Sequence, residues 1–353
     1  METARSNQRE NNVGKESFFV LIALLTMCRQ RSLSGRKERV RDCNEVGLAA
    51  TLFVAVCFLV ISLFFIGGAN ASETWQGVAR PGFMAGESDN ETDITVDLFL
   101  PITGDENSLI FFNPIVRTDD KGSNEQNLGL GGRVFVKDKV ILGANLFYDA
   151  MRSEYDNEFK QWGVGLEALT ENFDLRANYY RPFGDTKKRI SAIDTFEFAS
   201  SSLLQYKGYE EALEGYDVEV GALVPFVSEY MEARAYAGTY NYDSDFIDDN
   251  DVSGNRYRME IRPLRFINLS LEVKNDDVRG TDTFAGGYVE IPFDMEALFS
   301  FKNPFVMAKN ADTRGSRPLR DRMTEKVTRD RHIVAPESTL LESQNHDGQH
   351  HID

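Results

Sequence analysis

NLGLGGRVFVKDKVILGANLFYDAMRSEYDNEFKQWGVGLEALTENFDLRANYYR, residues 127–181, alternates apolar and polar side chains with period two. Leu128, Leu130, Val134 and Val136 fall on one face, Arg133 and Phe135 on the other. Trp162, Val164, Leu166 and Ala168 share a face opposite Gly163, Gly165 and Glu167. Leu175, Ala177 and Tyr179 share a face opposite Arg176, Asn178 and Tyr180. Period two is the signature of β-strands, whose successive side chains point to opposite faces. The polar face carries full charges of both signs in mid-strand. A soluble sandwich can turn such a face to water. Repeated strands of about ten residues also fit a membrane barrel, apolar outside and polar inside.

The N-terminal region bears on that choice. Residues 47–66, GLAATLFVAVCFLVISLFFI, contain no charge, and the basic stretch RKERVR (36–41) precedes them. Ala69-Asn70-Ala71 follows, the small-x-small pattern of a signal-peptide cleavage site, so the cut is expected between Ala71 and Ser72. The alternative is an uncleaved anchor, since 20 apolar residues are enough to span a bilayer. A shorter apolar run at 18–27 leaves the start codon open between Met1 and Met27. The three cysteines, Cys28, Cys43 and Cys57, all precede the expected cut. The remainder therefore needs no disulfide control to fold in an oxidising compartment, which permits export without requiring it.

The chain has 39 basic and 56 acidic residues; 9 and 6 of them precede Ser72, which leaves 30 and 50, a net charge of −20. Such a surface repels phosphate backbones, so nucleic acid is not an expected partner. A mean hydropathy of −0.37 suits a barrel, because only alternate strand residues face lipid.

The same periodicity places strands at 76–86, 92–100, 108–118, 126–136, 140–150, 161–170, 173–181, 215–224, 231–242, 255–263, 266–275 and 283–291, twelve in all. The segment 183–214 lacks clean periodicity and reads as a long loop. Turns such as 137–139 and 171–172 are short, while 151–160, 183–214 and 243–254 are long. Short periplasmic turns and long extracellular loops are the outer-membrane arrangement. An even strand number returns the chain to the side from which it entered. The acidic loop 243–254 lacks the spacing of a calcium loop and reads as solvated. Alternation stops near 294; Pro318 followed by Leu319, Met323 and Val327 at spacing four predicts a short amphipathic helix. The resulting organisation is a targeting segment (1–71), an all-β twelve-stranded antiparallel transmembrane barrel (72–293), a linker with a short helix that would thread the pore (294–336) and a disordered polar tail (337–353).

The blocks NLGLGGRVFVKDKVILGANLFYD, WGVGLEALTENFDLRANYYRPFGD, GYDVEVGALVP and FAGGYVEIPF resemble the transmembrane β-domain of inverse autotransporters, the intimin and invasin family. DRMTEKVTRDRHIV is similar to that family's post-barrel linker. The resemblance implies a twelve-stranded outer-membrane barrel with a periplasmic N-terminus. It also implies a linker that returns through the pore and exports an adhesive passenger. Only residues 335–353 follow the linker here, and strand one begins soon after Ser72, so a very short passenger is expected. Membrane lipid, the barrel-assembly machinery and periplasmic chaperones are the implied partners; an adhesin encoded downstream or a surface ligand is not specified by these residues.

Chemistry for catalysis is not expected. All four histidines, His332, His346, His350 and His351, lie beyond the barrel, which has no cysteine either. This leaves neither a Ser–His–Asp constellation nor a His/Cys zinc site within it. The carboxylates Asp217 and Glu219 could in principle form a glycosidase pair, but inward charges are generic in barrels. No cofactor or metal is expected. Strand phase instead assigns Asp97, Arg133, Glu167, Arg176, Asp217, Glu219, Arg258, Glu260, Arg262, Glu272 and Lys274 to the lumen. There they can pair with one another and satisfy the backbone of a threaded linker. Tyr148, Trp162, Tyr179, Tyr180, Tyr240 and Tyr242 read as an interfacial girdle. The functional expectation is a translocation and anchoring module of the outer membrane, with adhesion as the family's use for it. The alternative is a passive channel or structural barrel plugged by its own C-terminal segment.

Overall fold

The computed structural model describes residues 75–87, 92–199, 202–225, 227, 230–246, 251–294, 316–330 and 332–341. The targeting segment, Ala71 and Ser72 lie outside the described residues, as do 295–315 of the expected linker.

Alternating sequence produces strands throughout. In chain order they are β1 (Gly77–Gly86), β2 (Thr92–Gly104), β3 (Ser108–Asp119), β4 (Asn124–Val136), β5 (Val140–Arg152), β6 (Glu158–Leu169), β7 (Phe173–Pro182), β8 (Lys187–Ala199), β9 (Ser202–Glu211) and β10 (Glu214–Leu223). The series continues with β11 (Glu232–Asp243), β12 (Val252–Leu264), β13 (Ile267–Asp276), β14 (Gly280–Val289), β15 (Ile291–Phe293) and β16 (Glu337–Leu341). β1–β7 and β10–β14 pair in sequence as twelve antiparallel strands. β14 closes on β1, and β15 prolongs β14 along the same neighbour. Closure leaves no unpaired edge in the wall. The described residues contain no helix long and apolar enough to cross a membrane, which says nothing against crossing by strands.

The chain enters and leaves the wall at one rim, where Gly77 pairs with Phe293. We call this the terminal rim and the opposite end the loop rim. At the terminal rim the connections β2–β3, β4–β5, β6–β7 and β12–β13 are three residues or fewer, while β10–β11 takes eight. Between β4 and β5, Lys137 and Asp138 both take positive φ (51° and 55°), and Lys139 N donates to Val136 O at 3.1 Å. That is a three-residue hairpin connection whose two positive-φ residues give a twist that matches the flanking strands.

Burial follows the pleat. On β6, Leu166 is 61% exposed on the outer face, whereas its neighbour Glu167 is 8% exposed inside. Gly129 and Gly131 of the NLGLGG motif face inward, where rings lie against them: a Cβ at Gly129 or Gly131 would overlap Phe147 or Phe111.

Four expectations need correction. The segment 183–214 is not an open loop. β8 and β9 form a hairpin at the loop rim, and its periodicity is broken by a register shift between Ile190 and Thr195. The tail is not disordered from its start: Glu337–Leu341 is β16, which pairs with β9 into a separate three-stranded sheet, β16-β9-β8. A polar segment finds order here because an open strand edge supplies backbone partners; residues 342–353 lie outside the described residues. The amphipathic helix is a six-residue 3-10 helix, Leu319–Thr324, after which Glu325 is extended (φ −59°, ψ 147°). The spacing-four stripe is still used, since Leu319, Met323 and Val327 join one apolar cluster with Phe99, Phe111, Phe147 and Leu169.

The girdle divides. Tyr148, Trp162 and Tyr179 stay on the outer face, with the Trp162 ring 5.2 Å from that of Tyr148. Tyr180, Tyr240 and Tyr242 are buried inside. Adjacent Tyr179 and Tyr180 cannot share a face of one strand.

Candidate functional site

The lumen is occupied by the chain's own C-terminal segment, which runs from the terminal rim to the loop rim. It is gripped first at Arg317, whose backbone N and Nε donate to Glu232 Oε2 at 3.1 and 2.7 Å. The 3-10 helix then wedges Leu319 and Met323 among inward phenyl rings. Arg322, fully buried, donates Nη1 and Nη2 to the two oxygens of Asp174, each at 2.8 Å. The same guanidinium reaches Glu325 Oε2 (2.6 Å) and the Thr170 carbonyl (2.7 Å). Bidentate pairs fix geometry as well as charge.

Past the helix the segment is extended, and its backbone needs partners that a helix would have supplied internally. Wall side chains provide them. Arg133 Nη1 donates to the carbonyls of Met323 (2.9 Å) and Glu325 (2.6 Å), and Arg80 donates to Thr324 O. Asn178 donates to Thr328 O at 3.3 Å, and the Tyr180 hydroxyl accepts from Asp330 N at 2.6 Å. Arg329 forms a second fork, on Asp149, at 2.6 and 2.5 Å, with its guanidinium 4.4 Å from the centre of the Phe147 ring. Gly163 makes room for it, since a Cβ there would stand 2.8 Å from Arg329 Nη2. Asp330 accepts from Tyr242 (2.7 Å) and Lys274 (2.9 Å). At the loop rim Arg117 meets His332 Nε2 at 2.8 Å, and Ile333 N donates to Glu125 at 3.3 Å. Leu213 N then donates to Val334 O at 2.9 Å, just before β16.

The opposite side of the segment is looser. A cavity of about 130 Å³ lies between residues 325–330 and the wall of β1–β3 and β12–β14, with Asn127 of β4 at its edge. Asp93 Oδ1, Arg117 Nε, Asn127 Oδ1, Arg256 Nε and Asn268 Oδ1 belong to residues lining it, and none has a hydrogen-bond partner among the described residues. A mixed set of buried donors and acceptors is the environment that ordered water satisfies.

Residues 74–330 match the model of the inverse autotransporter β-domain. The chain belongs to that family. The solved structures similar to this inverse autotransporter barrel include one from a study of the in-meso crystallization of membrane proteins. It has a TM-score of 0.53 at 15% identity and covers 74% of this chain and 100% of that one. Another is the COG4313 outer membrane channel from Pseudomonas putida F1, with a TM-score of 0.42 at 10% identity, covering 64% and 98%. No curated protein matches. Family and fold are those of an outer-membrane barrel, and the outer membrane is where this inverse autotransporter resides.

Of the eleven side chains that strand phase assigned to the lumen, Arg133, Arg176 and Lys274 touch the segment, Arg176 through Glu325 Oε1 at 2.8 Å. Most of the others pair within the wall. Asp97 meets Arg80 (3.3 Å), Glu167 holds Arg133 (2.5 Å), and Arg262 meets Glu290 (3.0 Å). Glu219 binds Arg176 (3.3 Å) and Arg258 (2.5 Å), while Arg258 also pairs with Glu260. Asp217 accepts from Arg256 (2.9 Å), Asn178 and Tyr180, so the Asp217–Glu219 pair is engaged in cross-strand bonds. Glu272 is buried beside the cavity. Phase missed Asp149 and Asp174, the two fork-holding carboxylates. Both were legible: Asp174 shares parity with Arg176, and Asp149 with the inward Phe147.

Proposed function

We propose that this barrel moves its own C-terminal segment from the periplasm to the cell surface and then anchors it there. In this orientation the terminal rim is periplasmic and the loop rim extracellular. The observation that carries the reading is the continuous path of residues 316–330 and 332–341 from one rim to the other, with the extended backbone hydrogen-bonded by Arg133, Arg80, Asn178 and Tyr180. A polar lumen that satisfies an extended backbone lets polypeptide occupy membrane depth without secondary structure of its own. Adhesion would belong to whatever the segment displays. Lipid, the barrel-assembly machinery and periplasmic chaperones are the partners this route requires.

A second reading, a passive channel narrowed by its own plug, is favoured by the cavity beside residues 325–330. Deleting residues 314–353 tests both. The barrel should still assemble, and single-channel conductance in planar bilayers should rise severalfold as the lumen opens. Equal conductance from full-length and truncated protein would remove the segment from the lumen and the support for export with it. An epitope at the C-terminus, detected on intact cells, separates export from plugging; detection only after permeabilisation would favour the plug.

A further inference from the structure

Where the segment leaves the lumen, it becomes the third strand of the loop-rim sheet. Glu337 stands opposite Glu210, Ser338 opposite Tyr209 and Thr339 opposite Gly208. The first of these pairs sets two carboxyls side by side, and like charges directly across a sheet oppose pairing. Glu210 is also buried, 4% exposed, whereas Glu337 is exposed. Ser153 Oγ and Asn157 Nδ2 both donate to Glu210 Oε2, at 2.7 and 2.9 Å, and among the described residues no donor reaches Oε1.

Among the described residues no cation neutralises the site. Lys188, the partner of Glu210 on β8, is held by Asp185 at 2.6 Å. Glu211, next along β9, accepts from Ser244 Oγ, Asp245 N and Phe246 N at 2.6, 3.0 and 3.2 Å. Across the cluster, the 153–157 turn contributes Glu154 and Tyr155, and Asp156 there is tied to Arg152 at 3.0 Å. Burial pushes the Glu210 carboxyl above the ordinary range; the Asn157 and Ser153 bonds oppose this, and Glu337 and Glu154 add to it. Tyr155 is pushed up as well, by burial and by its bond to Glu337.

We propose that the β16–β9 pairing is a proton-operated latch at the pore exit, closed when Glu210 carries a proton and loosened when Glu210 is ionised. A carboxyl that titrates higher in the docked state than in the undocked one binds its proton more tightly when docked. Docking therefore strengthens as pH falls through the docked value and weakens as pH rises above it, in a window above the ordinary Glu value of about 4.3. The latch depends on the docking geometry alone and holds whether the segment is an exported passenger or a plug.

The test uses full-length protein in detergent, with Cys28, Cys43 and Cys57 replaced by serine and nitroxides placed at Ser191→Cys and Thr339→Cys. Docking gives a short, narrow inter-label distance, and release broadens it. The experiment is run in His332→Gln as well, so that the imidazole beside Arg117 at the loop rim does not contribute. The undocked-to-docked ratio should rise as pH is raised above the ordinary Glu value of about 4.3, by about tenfold for each unit by which docking raises Glu210. In Glu210→Gln the strand should stay docked across the range, while barrel assembly by heat-modifiable mobility is unchanged. A flat wild-type profile, or one that Glu210→Gln reproduces, would overturn the latch. If Glu210→Gln does not assemble, the exposed Glu337→Gln decides: a reduced pH response supports the latch, and an unchanged one overturns it.

Discussion

The wall of β4–β7 meets the C-terminal segment with charged forks, while the wall of β1–β3 and β12–β14 faces it across a cavity. On the first wall Asp149, Asp174, Arg133 and Arg176 each contact the segment directly. On the second, direct contacts come near the ends of the cavity, from Arg80 to Thr324 and from Lys274 to Asp330, with unpartnered polar atoms between them. The two walls come from the same alternating pattern. What separates them is where complementary charges fall along the segment. Arg322 and Arg329, seven residues apart, set its register against Asp174 and Asp149. Buried ion pairs contribute little net stability against a well-packed apolar alternative, but they penalise any register that leaves one member alone.

The largest effect should come from the gripping wall. Asp174→Ala would take the bidentate partner from Arg322, leaving it Glu325 and the Thr170 carbonyl, with Arg234 and Arg176 also losing a partner. Removing one member of a buried pair costs about 3–5 kcal/mol. Denaturant unfolding monitored by heat-modifiable mobility checks this, and a loss below about 1 kcal/mol would mean the fork does not hold the segment. The outer face should come next: Leu166→Arg puts a charge on the lipid side, at about 2–4 kcal/mol near the midplane. Wild-type stability in that variant would contradict the orientation of β6. Gly163→Ala should cost about 1–3 kcal/mol, because the new methyl crowds Arg329 while leaving the strand intact. The same unfolding assay in a truncated variant lacking residues 314–353 should return that loss to near zero, and a persistent loss would place its cause in the wall itself. The smallest effect belongs to the cavity side. Lys326 lies 5.3 Å from the Tyr288 ring centre and has no carboxylate within ion-pair distance among the described residues. Lys326→Met removes a half-buried cation that has no such partner and should therefore cost no stability. A cost comparable to that of Asp174→Ala would erase the distinction between the walls.

The sequence alone determined the barrel. Period-two alternation carries facing and strand number in each residue's neighbours, so 127–181 could be assigned to inner and outer faces without knowing what lay across the lumen. Tyr180 followed the same rule, although as an aromatic near a strand end it read as part of the girdle. The hairpin β8–β9 was hidden because its register shift breaks the period on which the reading depends. The forks, the cavity and the β16 pairing were decided only by tertiary structure. Asp149 lies 180 residues from Arg329, and Asp174 lies 148 from Arg322. Glu337 orders as a strand because β9 offers it an edge 127 residues away in the chain. Such partners are joined by closure of the wall around the segment, and no local propensity encodes that contact.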